Sequence, residues 1–311
     1  MERIEEITKE KGVSEIWTPL PGADGEYFAI HGNYIAGAQA NRLTVWYNGE
    51  KIVERSSSVA CNSYPVWKDD LVFWNDSQIN INSGRQFRLS KMEEIFSEDL
   101  GLNLPSEKKE GHRPVTCAWS PDACFFLLTM EGYRNEKVPH SKALLLDNEG
   151  IFKSILWEGY DFAPKAACIG KERIVLGTRG TTIFDLNGRL LATLASDLLP
   201  QRIHMAGDGS LLFIQTYETI TLWNTGTWSM KGIVKGPWLN ATLSPDGGTI
   251  YAIDFGGNLF VANISDTIGP MKEIPVPDPL ATIDAGMEYI VASFAKGDAI
   301  RWVLRKELDR L

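Results

Sequence analysis

The chain has 311 residues, 44% of them apolar, and sets 40 acidic against 31 basic side chains for a formal net charge of −9. That is ample material for a core, whereas an acidic balance argues against a nucleic-acid backbone as main ligand, because phosphate binding needs a concentrated basic surface. No window is long and apolar enough for a secretory leader or a membrane span, so the expectation is a cytoplasmic protein off the membrane.

The chain opens on a charged stretch, MERIEEITKEKG, and Val13 to Pro19 (VSEIWTP) then reads as a strand. From Phe28 on, one pattern recurs: a short apolar run, a polar turn and a second apolar run. Its copies are FAIHGNYIAGA from Phe28, VWKDDLVFW from Val66, CAWSPDACFFLLT from Cys117, ACIGKERIVLGT from Ala167, IHMAGDGSLLFIQT from Ile203, ATLSPDGGTIYAI from Ala241 and TIDAGMEYIVASF from Thr282. Short apolar runs between turn signals are strands rather than helices. In the Ala241 copy the turn has a mechanism: Pro245 pre-sets φ, and Gly247 and Gly248 permit positive φ.

Two more strands follow most hairpins. RLTVWYNGEKIVE, QININSGRQFRL, ALLLDNEGIFKSIL, TIFDLNGRLLATL and TITLWNTGTWSMKGI each put Gly with Asn or Asp between two strand-like runs, which is hairpin chemistry. Seven units of about forty residues, each of four short strands, predict an all-β seven-bladed propeller of antiparallel blades, one domain over 1–311. The last copy, AIRWVLRKELDRL, lacks the turn after its third strand, so residues 13–19 are expected to complete that blade and cover its edge.

The chain resembles the WD40-type propellers in the turn and third strand of QANRLTVWY from Gln39 and QTYETITLWN from Gln215, and in the Ser-Pro-Asp turns at Ser120 and Ser244. The Gly-His pair and closing Trp-Asp of that family are absent from every copy. The resemblance implies docking of a protein or peptide on the face that carries the blade-to-blade linkers and the turns between second and third strands.

Two insertions fall on that face: Ser90 to Arg113, between blades two and three, and Glu131 to Ser141, between the second and third strands of blade three. In the first, Ser90 and Glu93 form a capping box, Met92, Ile95, Phe96 and Leu100 lie on one stripe, and Gly101 ends the helix. The stripe packs on the rim or serves as a docking helix. Loops on a rigid scaffold are where binding usually resides.

Trp46, Trp223 and Trp302 sit in third strands and are read as covered by a neighbouring blade. The binding candidates are Tyr64, Tyr160, Tyr217, Trp238 and Phe255, since aromatics concentrate in interface cores, with Arg134, Arg179, Arg202 and Lys296 for an acidic partner.

Cys61, Cys117, Cys124 and Cys168 form no CxxC pair and read as small buried apolar residues, and His31, His112, His140 and His204 are too dispersed for a zinc site. Phosphate-loop, hydrolase-elbow and metalloprotease signatures are absent, so a non-enzymatic scaffold without cofactor is the first reading. The alternative is a calcium-dependent hydrolase. Glu26, Asn62, Asp161, Asn240 and Asp278 begin inner strands and offer oxygen ligands, and the layout is similar to that of lactonase and phosphotriesterase propellers, which hold a metal in the central channel.

Overall fold

The computed structural model describes residues 16–21, 25–57, 60–89, 113–134, 138–159, 163–194, 198–295 and 300–308. The fold is a seven-bladed β-propeller, each blade a meander of four antiparallel strands. By compactness the chain divides into residues 1–55 with 200–311, and residues 56–199.

The first unit holds blades 1, 5, 6 and 7. Blade 1 runs Tyr27–His31, Tyr34–Gln39, Arg42–Tyr47 and Glu50–Ser56. Blade 5 runs Arg202–Met205, Leu211–Gln215, Thr219–Asn224 and Ser229–Lys235. Blade 6 runs Trp238–Leu243, Thr249–Asp254, Leu259–Asn263 and Lys272–Ile274. Blade 7 takes Leu280–Ala285, Tyr289–Phe294 and Ile300–Leu304 from the C-terminal end of the chain and its outer strand, Thr18–Leu20, from the N-terminal end. Thr18 stands opposite Trp302 and Leu20 opposite Ile300. Just before that strand, Trp17 is buried edge-on against Phe294, ring centroids 5.5 Å apart, so an apolar anchor holds the short strand in place. Residues 13–15, also assigned to this strand from the sequence, lie outside the described residues.

Middle strands are buried on both faces and outer strands are half exposed, as blade stacking requires. Tyr34–Gln39 and Leu211–Gln215 are almost wholly buried, whereas Glu50–Ser56 and Ser229–Lys235 are exposed or half-buried at all but one position. Trp46 is fully buried, its Nε1 donating to Pro21 O at 3.1 Å. Trp223 and Trp302 are only half-buried, the latter edge-on to Tyr289. The Ser244 turn closes as its composition implies: Ser244 Oγ donates to Asp246 Oδ1 and accepts from Thr249 N, while Gly247 takes φ +70°. The Ser120 turn repeats those bonds with Ala123 at φ +54°.

The described residues contain one helix, Arg305–Leu308. Leu308 is buried, and Arg305 reaches Asp246 Oδ2 at 2.8 Å, Thr249 Oγ1 at 3.0 Å and Tyr251 Oη at 3.1 Å, which fastens the chain end to blade 6. The helix expected within 90–113 lies outside the described residues.

The second unit holds blade 2 (Val66–Lys68, Leu71–Trp74, Ser77–Asn80, Gln86–Arg88), blade 3 (Arg113–Trp119, Phe125–Arg134, Val138–Asp147, Phe152–Gly159) and blade 4 (Ala167–Ile169, Arg173–Thr178, Gly180–Asp185, Leu190–Leu194). A bridge, Asn62–Ser63, adds in parallel to Thr116 and Cys117 on the inner side of blade 3.

Blade 3 corrects one sequence reading. Of the stretch Glu131 to Ser141, residues 131–134 and 138–141 are not loop: they continue the second and third strands, pairing from Glu131 with Ser141 out to Arg134 with Val138, and residues 135–137 lie outside the described residues. Its polar composition suggested a loop, yet Glu131, His140, Ser141 and Lys142 are buried. His140 Nε2 meets Glu158 Oε1 at 3.0 Å and Lys142 Nζ lies 3.5 Å from the same oxygen, so polar side chains fill the place of apolar ones in this extension.

Candidate functional site

Between blades 5 and 6 the chain builds a surface groove of about 650 Å³, lined by Tyr217, Glu218, Thr219, Lys235, Gly236, Pro237 and Phe255. Each wall is a turn between a second and a third strand. In blade 5, Thr216 Oγ1 accepts from Glu218 N at 3.2 Å and Thr219 N at 2.9 Å. Hydroxyl-to-backbone bonding of this kind fixes a tight turn, and the side chain at its apex, Tyr217, stands out 50% exposed. In blade 6, Asp254 Oδ1 accepts from Asn258 N at 2.9 Å, Gly257 takes φ +81°, and Phe255 stands out 57% exposed.

The floor is the linker Gly236–Pro237, and three backbone bonds tie it to both walls. Gly236 N donates to Glu218 O at 2.9 Å, Trp238 N to Tyr217 O at 2.9 Å, and Phe255 N to Pro237 O at 3.1 Å. The two apical rings consequently stand side by side, centroids 5.8 Å apart and tilted by 37°. Below the linker lies the Trp238 indole, 4% exposed and edge-on to Phe260 at 5.7 Å. A Cβ on Gly236 would come within 2.7 Å of Trp238 Cζ2, so only glycine lets the linker lie this close to the ring. Glu218 and Lys235 add one charge of each sign, and the surface is an aromatic shelf with a mixed polar margin.

The structure brings three of the sequence-chosen residues together here: Tyr217 and Phe255 as walls and Trp238 as the buried support. Arg179 is exposed on the blade 4 turn between Thr178 and Gly180, Tyr64 is half-buried, and Arg134 ends the second strand of blade 3. Tyr160 and Lys296 lie outside the described residues.

Arg202 is buried. Its Nη1 donates to Ile283 O at 3.0 Å and Asp284 Oδ1 at 3.1 Å, its Nη2 donates to Glu26 O at 3.1 Å, and the guanidinium lies over the Tyr27 ring. Phe28 N donates to the other oxygen of Asp284 at 3.0 Å. Asn240 Oδ1 accepts from Ile283 N at 3.1 Å. The inner strands of blades 5, 6, 7 and 1 are laced together by this network, so Arg202 holds the fold. Burial pushes the Asp284 carboxyl up to about 6, against the pull of Arg202 and the Phe28 N–H. Burial, with Arg202 nearby, drives the neighbouring His204 down to about 3, so its ring is neutral.

Of the oxygen ligands proposed for calcium, Asn240 is engaged as described, Asp278 lies 3.7 Å from Arg301, Glu26 is exposed, Asn62 is half-buried in the blade 3 bridge, and Asp161 is outside the described residues. Among the described residues no three His, Cys, Asp or Glu side chains cluster as a metal would require.

Sequence reasoning missed the linker and the Asp284 network. Gly236–Pro237 before Trp238 was a visible signal for the first, since Gly-Pro marks a turn. Asp284 had none, because it sits among apolar residues of an ordinary inner strand.

No protein-family model matches the chain, and no curated protein matches it by sequence. Among solved structures it is similar to the β-propeller domain of Cps50 (Swd1) from Myceliophteria thermophila. The identity is 10%, the match covers 92% of this chain and 99% of that one, and the TM-score is 0.62. At that identity the likeness establishes the fold, a seven-bladed β-propeller.

Proposed function

We propose that the protein is a non-enzymatic scaffold of the cytoplasm that holds a protein or peptide on the face formed by the blade-to-blade linkers and the turns between second and third strands. The observation that carries this reading is the pair Tyr217 and Phe255: two large aromatic side chains, half exposed, set side by side on turns that backbone hydrogen bonds tie to the linker between blades 5 and 6. Exposed rings held in one orientation bury large area on docking at little entropic cost. No helix among the described residues is long and apolar enough to cross a membrane.

Capture from native lysate, comparing the wild type with Tyr217→Ala/Phe255→Ala, tests the reading. Truncating a central anchor costs about 2 kcal/mol, roughly a thirtyfold loss of affinity, so a partner held by the wild type should be lost from the double variant at unchanged Tm. Met287→Ala supplies the control: that residue is 62% exposed on a turn between a first and a second strand, and the variant should retain the partner. Retention of every partner by the double variant refutes the site, and capture of nothing by the wild type refutes a stable protein partner.

A further inference from the structure

Cys61 and Cys117 bring two thiols together outside the groove. They are 56 residues apart in the chain, yet their sulfurs lie 3.1 Å apart, both residues are buried and neither is in a disulfide. The fold enforces the approach. Asn62–Ser63, directly after Cys61, pairs in parallel with Thr116–Cys117, and the Thr116 hydroxyl is bonded to Asn62 O at 3.1 Å. Asn75 Oδ1 accepts from Cys61 Sγ at 3.3 Å and lies 3.7 Å from Cys117 Sγ. Asn75 is itself fixed by Trp119 Nε1, which donates to its carbonyl at 3.0 Å.

A disulfide needs sulfurs about 2 Å apart, so about 1 Å of side-chain movement separates the two states. We propose that Cys61 and Cys117 form a reversible dithiol–disulfide couple that clips the bridge entering blade 2 to the inner strand of blade 3 when peroxide is present. One sulfur, as thiolate, attacks a peroxide oxygen, breaking the O–O bond to give a sulfenic acid and hydroxide. The second sulfur then displaces the sulfenic hydroxide as the S–S bond forms. With the two thiol protons the oxygens leave as two waters; the thiols are oxidised by two electrons and the peroxide is reduced by two. The hydrogen bond with Cys117 and burial hold the Cys61 thiol well above its ordinary range, which makes its thiolate scarce and its attack on peroxide slow. A clip across this long loop restricts mainly the unfolded chain.

The experiment uses the full-length reduced protein, treated with hydrogen peroxide, alkylated after denaturation and mapped by mass spectrometry without reductant. The expected result is a linked pair of peptides carrying Cys61 and Cys117, lighter by two hydrogens than the separate pair. Tm should rise by about 5 °C, and dithiothreitol should reverse both changes. Cys124→Ser, which removes the exposed thiol, should leave the link intact. Recovery of Cys61 and Cys117 as free alkylated thiols overturns the proposal, as does a link to Cys124 or Cys168, or conversion of either residue to a sulfinic acid without a link. Because the map is read on the wild type, a folding defect in a Cys117→Ala variant does not blunt the test.

Discussion

Arg202→Met strips a guanidinium from the network that joins blades 5, 6, 7 and 1 and leaves a side chain of similar length in its place. The side chains of Arg202 and Asp284 are 7% and 5% exposed. Removal takes a donor from the Ile283 and Glu26 carbonyls and leaves the Asp284 carboxylate with the Phe28 N–H as its remaining described donor. Breaking a buried pair from one side costs about 3–5 kcal/mol, since the surviving charge cannot return to water. The loss depends on pH, and its sign is fixed by Asp284. Burial raises that carboxyl to about 6 in the folded protein, against about 3.9 in an unfolded chain. Between those values the folded state holds a proton that the unfolded state has released, so this group's contribution is fully present below about pH 4 and falls as pH rises through about 6. Without Arg202 the folded value rises further, the decline extends to higher pH, and the deficit of the variant must be larger at pH 8 than at pH 5. Urea unfolding followed by tryptophan fluorescence at both pH values measures it. Adding Asp284→Asn should recover about 2 kcal/mol at pH 8 by removing the stranded charge. A loss below about 1 kcal/mol at pH 8, an equal loss at pH 5, or no recovery in the double variant would show that the network does not hold these strands.

Asp246, although burial alone would raise it, is held down at about 2 by hydrogen bonds from Ser244, Arg305 and Gly248 N and by the charge of Arg305. A lowered carboxyl adds stability that is full above about pH 4 and lost as pH falls toward 2; with the side chain 41% exposed the contribution is only about 1 kcal/mol. Acid titration of Tm should therefore be shallower for Asp246→Asn than for the wild type, and identical slopes would contradict this. Gly236→Ala drives a methyl into the Trp238 indole, at a cost of about 1–3 kcal/mol, and should also weaken partner capture by tilting the linker beneath Tyr217 and Phe255; an unchanged Tm would mean that the linker moves aside freely.

The blade pattern was legible because two kinds of signal agreed in each copy. Short apolar runs marked the strands, and Ser-Pro-Asp, Asn-Gly and Asp-Gly sequences marked the turns between them. The agreement tolerates exceptions that only the structure exposes: Ala123 takes the left-handed position that Gly247 takes in blade 6, because the hydroxyl and carboxylate bonds of Ser120 and Asp122 hold the turn there. Where polar residues are buried in a strand, the pattern breaks down. Glu131, His140 and Ser141 gave the composition of a loop, yet their backbone continues the ladder of blade 3.

Side-chain roles were less legible than strands, for a related reason. Tyr217, Trp238, Arg202 and Phe255 all fall at strand ends or in turns near one face, and sequence position alone makes them equivalent. What separates them is the direction of each side chain relative to the next blade. Tyr217 and Phe255 are apices of turns closed by their own backbone bonds, and their side chains project, 50% and 57% exposed. Trp238 and Arg202 begin inner strands, and the strand direction turns their side chains inward, the first onto Phe260 and the second onto Asp284. A register shift at Trp238–Asn240 accompanies this in blade 6 and recurs at Leu280–Thr282 in blade 7. A bulge re-aims the side chains that follow it, and Asn240 thereby meets Ile283 N while the Trp238 carbonyl is left to accept from Gln215 Nε2. The exposed aromatic pair and its buried support are consequently one device: the inward-turned tryptophan fixes the linker, and the linker fixes the two rings that remain outside.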